Sequence, residues 1–331
     1  MSLVTCHSPT TSCLVTGSSG FVGRHLVQHL AASGHWGIAV SRSERYSTLP
    51  SGWQSKVRAD VLGEGGETAP VDAVVHLEVK QHVPQPTGAD VAEFHAVNVE
   101  GTQAWLDWCA CREVRRFVYL SSIKAVQTLE RGATDESAAG PHPSAYGSSK
   151  WAAEQRVRAW VAADARRSAL ILRPAVIYGP GNTANVAAMV SAIRRGRFFL
   201  VGRNDNPKSL VGIRNVVSAV SHLLERMVPG TCEVYNLVDA QTLTVRELDA
   251  RIRQKFGKSG NSPSLPLSIA KGAAWFGDSF YSISGRHFPI NSTRLQALLE
   301  TTHFSGEKLK RTGFVHPQSI DDGLAEMIRA S

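Results

Sequence analysis

The sequence predicts a doubly wound α/β protein built on a parallel sheet, and three observations carry that prediction. Short apolar runs alternate with stretches of helical periodicity through the first half of the 331 residues. The runs are continuously apolar, the pattern of strands covered by helices on both faces. A glycine-rich turn, Val15-Thr-Gly-Ser-Ser-Gly-Phe-Val-Gly23, separates the first run from the first helical stretch.

Cys13–Val15 reads as the first strand, and Phe21, Val22, Leu26, Val27 and Leu30 then recur at helical spacing. Ile38–Val40 and Ala73–Leu77 are the next strands, followed by a helix over Val91–Cys111. Strand Arg116–Leu120, helix Ser144–Ala163 and strand Ala169–Leu172 complete the regular part. Beyond Pro180 the pieces shorten. Helices are expected at Val186–Arg195, Asn215–Met227 and Val245–Phe256, with small strands at Phe198–Leu200 and Val234–Leu237. The expected division is a core over 12–180 and a substrate-binding cap over 181–331, some of whose segments return to the core.

Composition narrows the function. The chain is 43% apolar and 19% charged, ordinary for a globular protein, with a formal charge of +8 that suits a small anionic substrate. Its Lys and Arg residues form no basic run, so nucleic acid is not the expected partner. The five cysteines form no CxxC pair, which argues against a metal and for reduced thiols in the cytoplasm. Met1–Ser12 lacks a signal-peptide pattern, and no 18-residue uncharged apolar stretch spans a membrane. Leu265–Ile283 comes nearest, but Lys271 and Asp278 interrupt it, so it reads as an amphipathic helix over a pocket or partner.

The glycine turn points to a dinucleotide. Gly17, Gly20 and Gly23 stand three apart, with Ser19, Phe21 and Val22 among them, where backbone N–H groups and a helix N-terminus can cradle a pyrophosphate. At the end of the second strand Ser41 and Arg42 replace the acid that would bind a ribose 2′-hydroxyl. A guanidinium suits a 2′-phosphate, which favours NADP over NAD. Asp60-Val61 is placed to meet the adenine edge.

Chemistry requires a base. Tyr146-Gly-Ser-Ser-Lys150 opens a helix with the two side chains on one face. A tyrosine is a weak base near its ordinary pKa of ~10, and an adjacent ammonium stabilises the phenolate. Ser121 and Ser122 follow the preceding strand, and either hydroxyl could hold the reacting oxygen.

These elements together resemble the short-chain dehydrogenase/reductase superfamily, in its extended epimerase/dehydratase branch. The resemblance includes Thr16-Gly-x-x-Gly-Phe-x-Gly23, Asn98-Val-Glu-Gly-Thr102, Leu120-Ser-Ser122, Tyr146-x-x-x-Lys150 and Arg173-Pro-x-x-x-Tyr-Gly-Pro-Gly181. It implies that Tyr146 is the general base and acid, that Lys150 tunes it and binds the nicotinamide ribose, and that Ser122 holds the substrate oxygen, with Ser121 as the alternative. It places Leu77, Glu78, Lys80, Asn98, Pro174 and Val176 beside the cofactor, and Asn185, Arg195 and Ser209 as substrate contacts. It also implies a homodimer. Three departures stand out: Glu78-Val79 where the family has small residues, Arg214 where an acid is usual, and Gln127-Thr128 after the serine motif. Glu78 would need a partner, for which Lys80 is the sequence neighbour. The expected activity is hydride transfer at a hydroxyl or keto carbon of a UDP-hexose-like sugar. The alternatives are a hydrophobic alcohol or ketone of steroid, flavonoid or polyketide type, or a cofactor-sensing protein without turnover.

Overall fold

The computed structural model describes residues 10–330 apart from 44–47, 64, 84–85, 130–131 and 285–291. Strands β1 (Ser12–Thr16), β2 (Trp36–Ser41), β3 (Trp53–Val57), β4 (Ala73–His76), β5 (Arg116–Leu120), β6 (Ser168–Pro174) and β7 (Cys232–Leu237) form one sheet. Every pairing in it is parallel, and the order across it is β7-β6-β5-β4-β1-β2-β3. The chain therefore reverses direction of winding at β1, whose Val15 pairs with Ala39 on one side and Val75 on the other. Ligands of open α/β sheets bind at the carboxyl ends of strands beside such a reversal.

Helices cover both faces. Leu26, Val27 and Leu30 of α1 (Phe21–Ala32) bury against one face, together with Val216, Val217 and Val220 of a later helix, Ile213–Leu224. A short α2 (Arg58–Leu62) follows β3. Trp105 and Leu106 of α4 (Gly101–Cys111) pack on the other face with Val157, Trp160 and Val161 of α5 (Ala145–Ala162). Between α3 (Gly88–Phe94) and α4 lies one π-helical stretch, His95–Glu100, so the expected single helix is continuous but bulged. Thr87 starts it with a capping box to Asp90.

One feature departs from expectation. β3, Trp-Gln-Ser-Lys-Val, is an edge strand with a polar sequence, and no apolar run announces it. Beyond residue 180, β7 pairs with β6 and the Ile213–Leu224 helix covers α1, so these segments belong to the core. What remains as a cap has its own small core, in which Val186 and Val190 of α6 (Asn185–Arg194) meet Leu248 and Ile252 of Val245–Lys255. The amphipathic segment is a helix, Leu267–Ser284, whose Ala270 and Ala274 turn inward onto Val201 and Leu295. Among the described residues no helix is long and apolar enough to cross a membrane.

Candidate active site

The glycine loop sits at the end of β1. Gly17 adopts φ +62°, and a Cβ there would lie 2.9 Å from backbone atoms of Leu77 and Glu78. A Cβ on Gly23 would lie 2.4 Å from the Gly17 carbonyl oxygen, so α1 can approach the loop only with glycine at this position. Gly20 caps α1 without any side-chain hydrogen bond, and the first turn carries no acid. The positive end of the helix is thus open to an anion. Ser19 and Gly20 are exposed at the tip, with Phe21 and Val22 partly so. A glycine turn packed too closely for side chains and an uncapped helix end fit the pyrophosphate of a dinucleotide.

The underside of the loop is fixed by buried polar links. The Ser18 hydroxyl donates to the Val40 carbonyl at 2.8 Å. Thr16 Oγ1 accepts from the N–H groups of Leu77 and Glu78 and bonds to His76 Nδ1 at 2.8 Å, while His76 Nε2 reaches Thr102 Oγ1 at 3.2 Å. Complete burial, with Lys150 and Arg58 nearby, lowers the His76 pKa to about 3, so this imidazole stays neutral. His76 is a structural tie. Among the described residues no cluster of His, Cys, Asp or Glu is arranged to hold a metal ion.

Ser41 is buried at the end of β2 and Arg42 is exposed beside it. Asp60 lies exposed on α2, whereas the Val61 side chain packs into the core and leaves only its backbone toward a ligand. Asn98 supports this wall indirectly. Its Oδ1 accepts from Lys80 N at 2.8 Å and its Nδ2 donates to Ser149 Oγ at 2.9 Å, tying the loop after β4 to α5. Lys80 does not neutralise Glu78, because its ammonium pairs with Asp90 and Glu93. Glu78 meets Arg58 and Trp105 instead.

The catalytic candidates converge where α5 begins. Ser144 caps α5 by accepting from Gly147 N at 3.1 Å, and a Cβ on Gly147 would lie 2.2 Å from the Lys124 carbonyl oxygen. That close approach sets Tyr146 against the turn after β5. The links then run residue by residue along the strand end. Lys150 Nζ donates to the Leu120 carbonyl at 2.7 Å, the Ser121 hydroxyl donates to Glu154 at 2.6 Å, and Ser122 hydrogen-bonds with Tyr146. Arg173 of β6 closes the set with two bonds to Glu154, at 2.9 and 2.6 Å, in a fully buried pair. The Lys150 ammonium lies 4.3 Å over the Tyr119 ring, and His82 and Phe94 set their rings edge-on to Tyr146.

Electrostatics follow from this burial. Desolvation raises the Tyr146 pKa to about 12, against a lowering by the bond with Ser122. Desolvation lowers Lys150 to about 7, against a raising by the Glu154 carboxylate. Between those limits the two groups together hold one proton. Such a pair can take a proton from a hydroxyl and return it to a carbonyl oxygen near neutral pH.

Several expected contacts fall elsewhere. Ser121 points into the Glu154 network, and Ser209 is buried with its hydroxyl accepting from Phe304 N, so neither side chain is free for a substrate. Asn185 and Arg195 are exposed at the two ends of α6. Pro174 closes β6 and Val176 follows it, half-buried. Arg214 makes a bidentate pair with Glu326 on the surface, and the acid of this region is Asp239, which accepts from Tyr178, Gly212 and Asn215. Glu154, Phe94 and His82 were not singled out from the sequence as parts of the site. Only Glu154 carried a usable signal, since 146, 150 and 154 continue one helix face.

Fold and site together define a dinucleotide-dependent enzyme of short-chain dehydrogenase/reductase type. The profile of the NAD dependent epimerase/dehydratase family matches residues 13–237, and the chain belongs to that family. It is 31% identical, over 94% of its length and 92% of the relative's, to the N-acetyl-alpha-D-glucosaminyl-diphospho-ditrans,octacis-undecaprenol 4-epimerase of Escherichia coli O157:H7. It is 30% identical to the 2-alkyl-3-oxoalkanoate reductase of Stenotrophomonas maltophilia K279a, over 96% and 98% of the two chains. Among solved structures, MoeE5 in complex with UDP-glucose and NAD superposes with a TM-score of 0.72 at 23% identity, covering 96% of this chain and 98% of that one, which supports the fold alone.

Proposed function

We propose that this enzyme oxidises and re-reduces a secondary hydroxyl of a diphosphate-linked sugar, as a 4-epimerase or a 4-dehydrogenase does. The observation that carries this reading is the convergence of Tyr146, Ser122 and Lys150 at the end of β5, at the same end of the sheet as the glycine loop that follows β1. A nicotinamide dinucleotide held by residues 17–23 would supply the hydride acceptor. Ser122 orients the substrate oxygen, Tyr146 removes its proton, and Lys150 takes up the compensating charge. The cofactor favoured is NADP, on the strength of exposed Arg42 and the lack of an acid at the end of β2.

Relatives named for diphosphate-linked sugars support the substrate class, and a +8 chain suits a diphosphate. A second reading, a hydrophobic ketone or alcohol, draws on the reductase relative and on exposed Leu267, Ile269, Trp275 and Phe276 of the Leu267–Ser284 helix. The first relative's substrate, by its name, joins both demands, a diphospho-sugar on a polyprenyl chain. The test is turnover of UDP-N-acetylglucosamine, of its polyprenyl-diphosphate counterpart and of a 2-alkyl-3-oxo acid, with NAD or NADP added. Conversion of either sugar, lost in Tyr146→Phe, supports the first reading. Reduction of the oxo acid alone moves the assignment to the second.

A further inference from the structure

A carboxylate stands beside the loop that is to receive a pyrophosphate. Glu78 follows β4 directly, and its backbone nitrogen is 2.9 Å from where a Cβ on Gly17 would lie. Its side chain is only 12% exposed, so water screens it poorly. An unpaired anion there would repel the pyrophosphate and weaken its binding.

Two groups answer that charge. Trp105 Nε1, from α4, donates to Glu78 Oε2 at 2.9 Å. Arg58 Nε lies 3.3 Å from the same oxygen. Arg58 opens α2 at the end of β3, the far edge of the sheet, two strands beyond β1 on the adenosine side. Its guanidinium reaches back across the ends of the strands to the start of α4, where Nη2 is 4.0 Å from a Cβ built on Gly101. The cation nearer in sequence, Lys80, is engaged by Asp90 and Glu93. Among the described residues, Arg58 is therefore the cation that pairs with Glu78.

We propose that Arg58 is a positioning residue for cofactor binding: it holds the Glu78 carboxylate against Trp105, so that the Gly17–Gly23 loop stays receptive to a dinucleotide pyrophosphate. The inference rests on the reading of that loop as the cofactor site. The same bridge ties α2, and with it Asp60, to β4 and α4, so the adenosine wall and the phosphate loop are fixed by one ion pair. A carboxylate beside the loop is thereby tolerated, because Arg58 and Trp105 hold it.

Calorimetric binding of NAD, NADP and ADP-ribose to the full-length protein tests this without any turnover. Arg58→Ala releases Glu78 and is expected to weaken all three ligands by roughly 10- to 100-fold, since an uncompensated charge within several ångströms acts at an intermediate effective dielectric. Glu78→Gln is expected to bind as tightly as the wild type or more so. The decisive protein is the double variant Arg58→Ala/Glu78→Gln, expected to return to within about threefold of wild-type affinity. A merely structural role for Arg58 would leave the double variant as weak as Arg58→Ala, and that result overturns the proposal, as does unchanged binding in Arg58→Ala. Wild-type protein that binds none of the three ligands would instead overturn the reading of the loop itself.

Discussion

Replacing Lys150 by Met separates the two halves of the proton-holding pair, and the structure fixes what should follow. Burial places Tyr146 at about 12 and Lys150 at about 7. In the wild type the pair loses its second proton near pH 7, so oxidation of substrate should rise about tenfold per unit below that pH and level off above about pH 8. Without the amine, the phenol must ionise alone. At pH 7.5 a group of pKa about 12 is ionised to roughly three parts in 10⁵, so kcat should fall by about 10⁴- to 10⁵-fold. The loss should ease about tenfold per pH unit, giving roughly 100-fold recovery between pH 7.5 and 9.5. The fold is not at stake. Lys150 is depressed below its unfolded pKa, so its burial penalises the folded state fully below pH 7 and progressively less as pH rises toward 10.5. The variant should therefore be no less stable than wild type at pH 6 by urea titration. Steady-state rates from pH 6 to 10, with cofactor saturating, decide the matter. A variant whose profile parallels the wild type, merely scaled down, would refute the shared-proton account, because the slope and not the size of the loss carries it.

Two further outcomes follow from the same geometry. Glu154→Gln leaves the Arg173 guanidinium buried without its anion and should cost about 3 kcal/mol of stability by urea unfolding, and a loss under about 1 kcal/mol would show that the pair contributes little. Gly17→Ala forces a left-handed φ on a residue whose Cβ meets Leu77 and Glu78 backbone at 2.9 Å, so dinucleotide affinity should drop at least about tenfold by calorimetry, and unchanged affinity would mean that the loop is not the pyrophosphate site.

The parts legible in the sequence are those where one physical requirement dominates. Strands buried on both faces, such as Ala73–His76 and Ser168–Pro174, must be apolar throughout, and the glycines of 17–23 answer to backbone conformation and close packing. Edge strand β3 has one neighbour and a solvent-facing side, so Gln54 and Lys56 are admissible there and the periodicity vanishes. β7 was recognised as a strand, but its place beside β6 is a long-range pairing that local pattern does not encode. The partner of Glu78 was missed for a related reason. Lys80 is two residues away in sequence, yet a guanidinium from the opposite edge of the sheet reaches the carboxylate, because α2 folds back over the strand ends.

The same reasoning bears on the two serines that the sequence left as alternatives. Successive residues at a strand end face opposite ways, so Ser121 and Ser122 cannot both address one ligand. Ser121 turns toward Glu154 and Arg173 beneath α5, while Ser122 turns toward Tyr146. The helix contributes at 146, 150 and 154, one face in steps of four, and the strand contributes at 122, 120 and 121. A shift of α5 by one residue would break all three links at once, leaving Glu154 and Arg173 unmatched in the core. The buried ion pair thus couples the stability of the fold to the register in which α5 meets the end of β5. Ser121 and Glu154 are accordingly engaged in that register, and under the proposed mechanism Ser122 and Tyr146 are the groups left to meet a substrate oxygen.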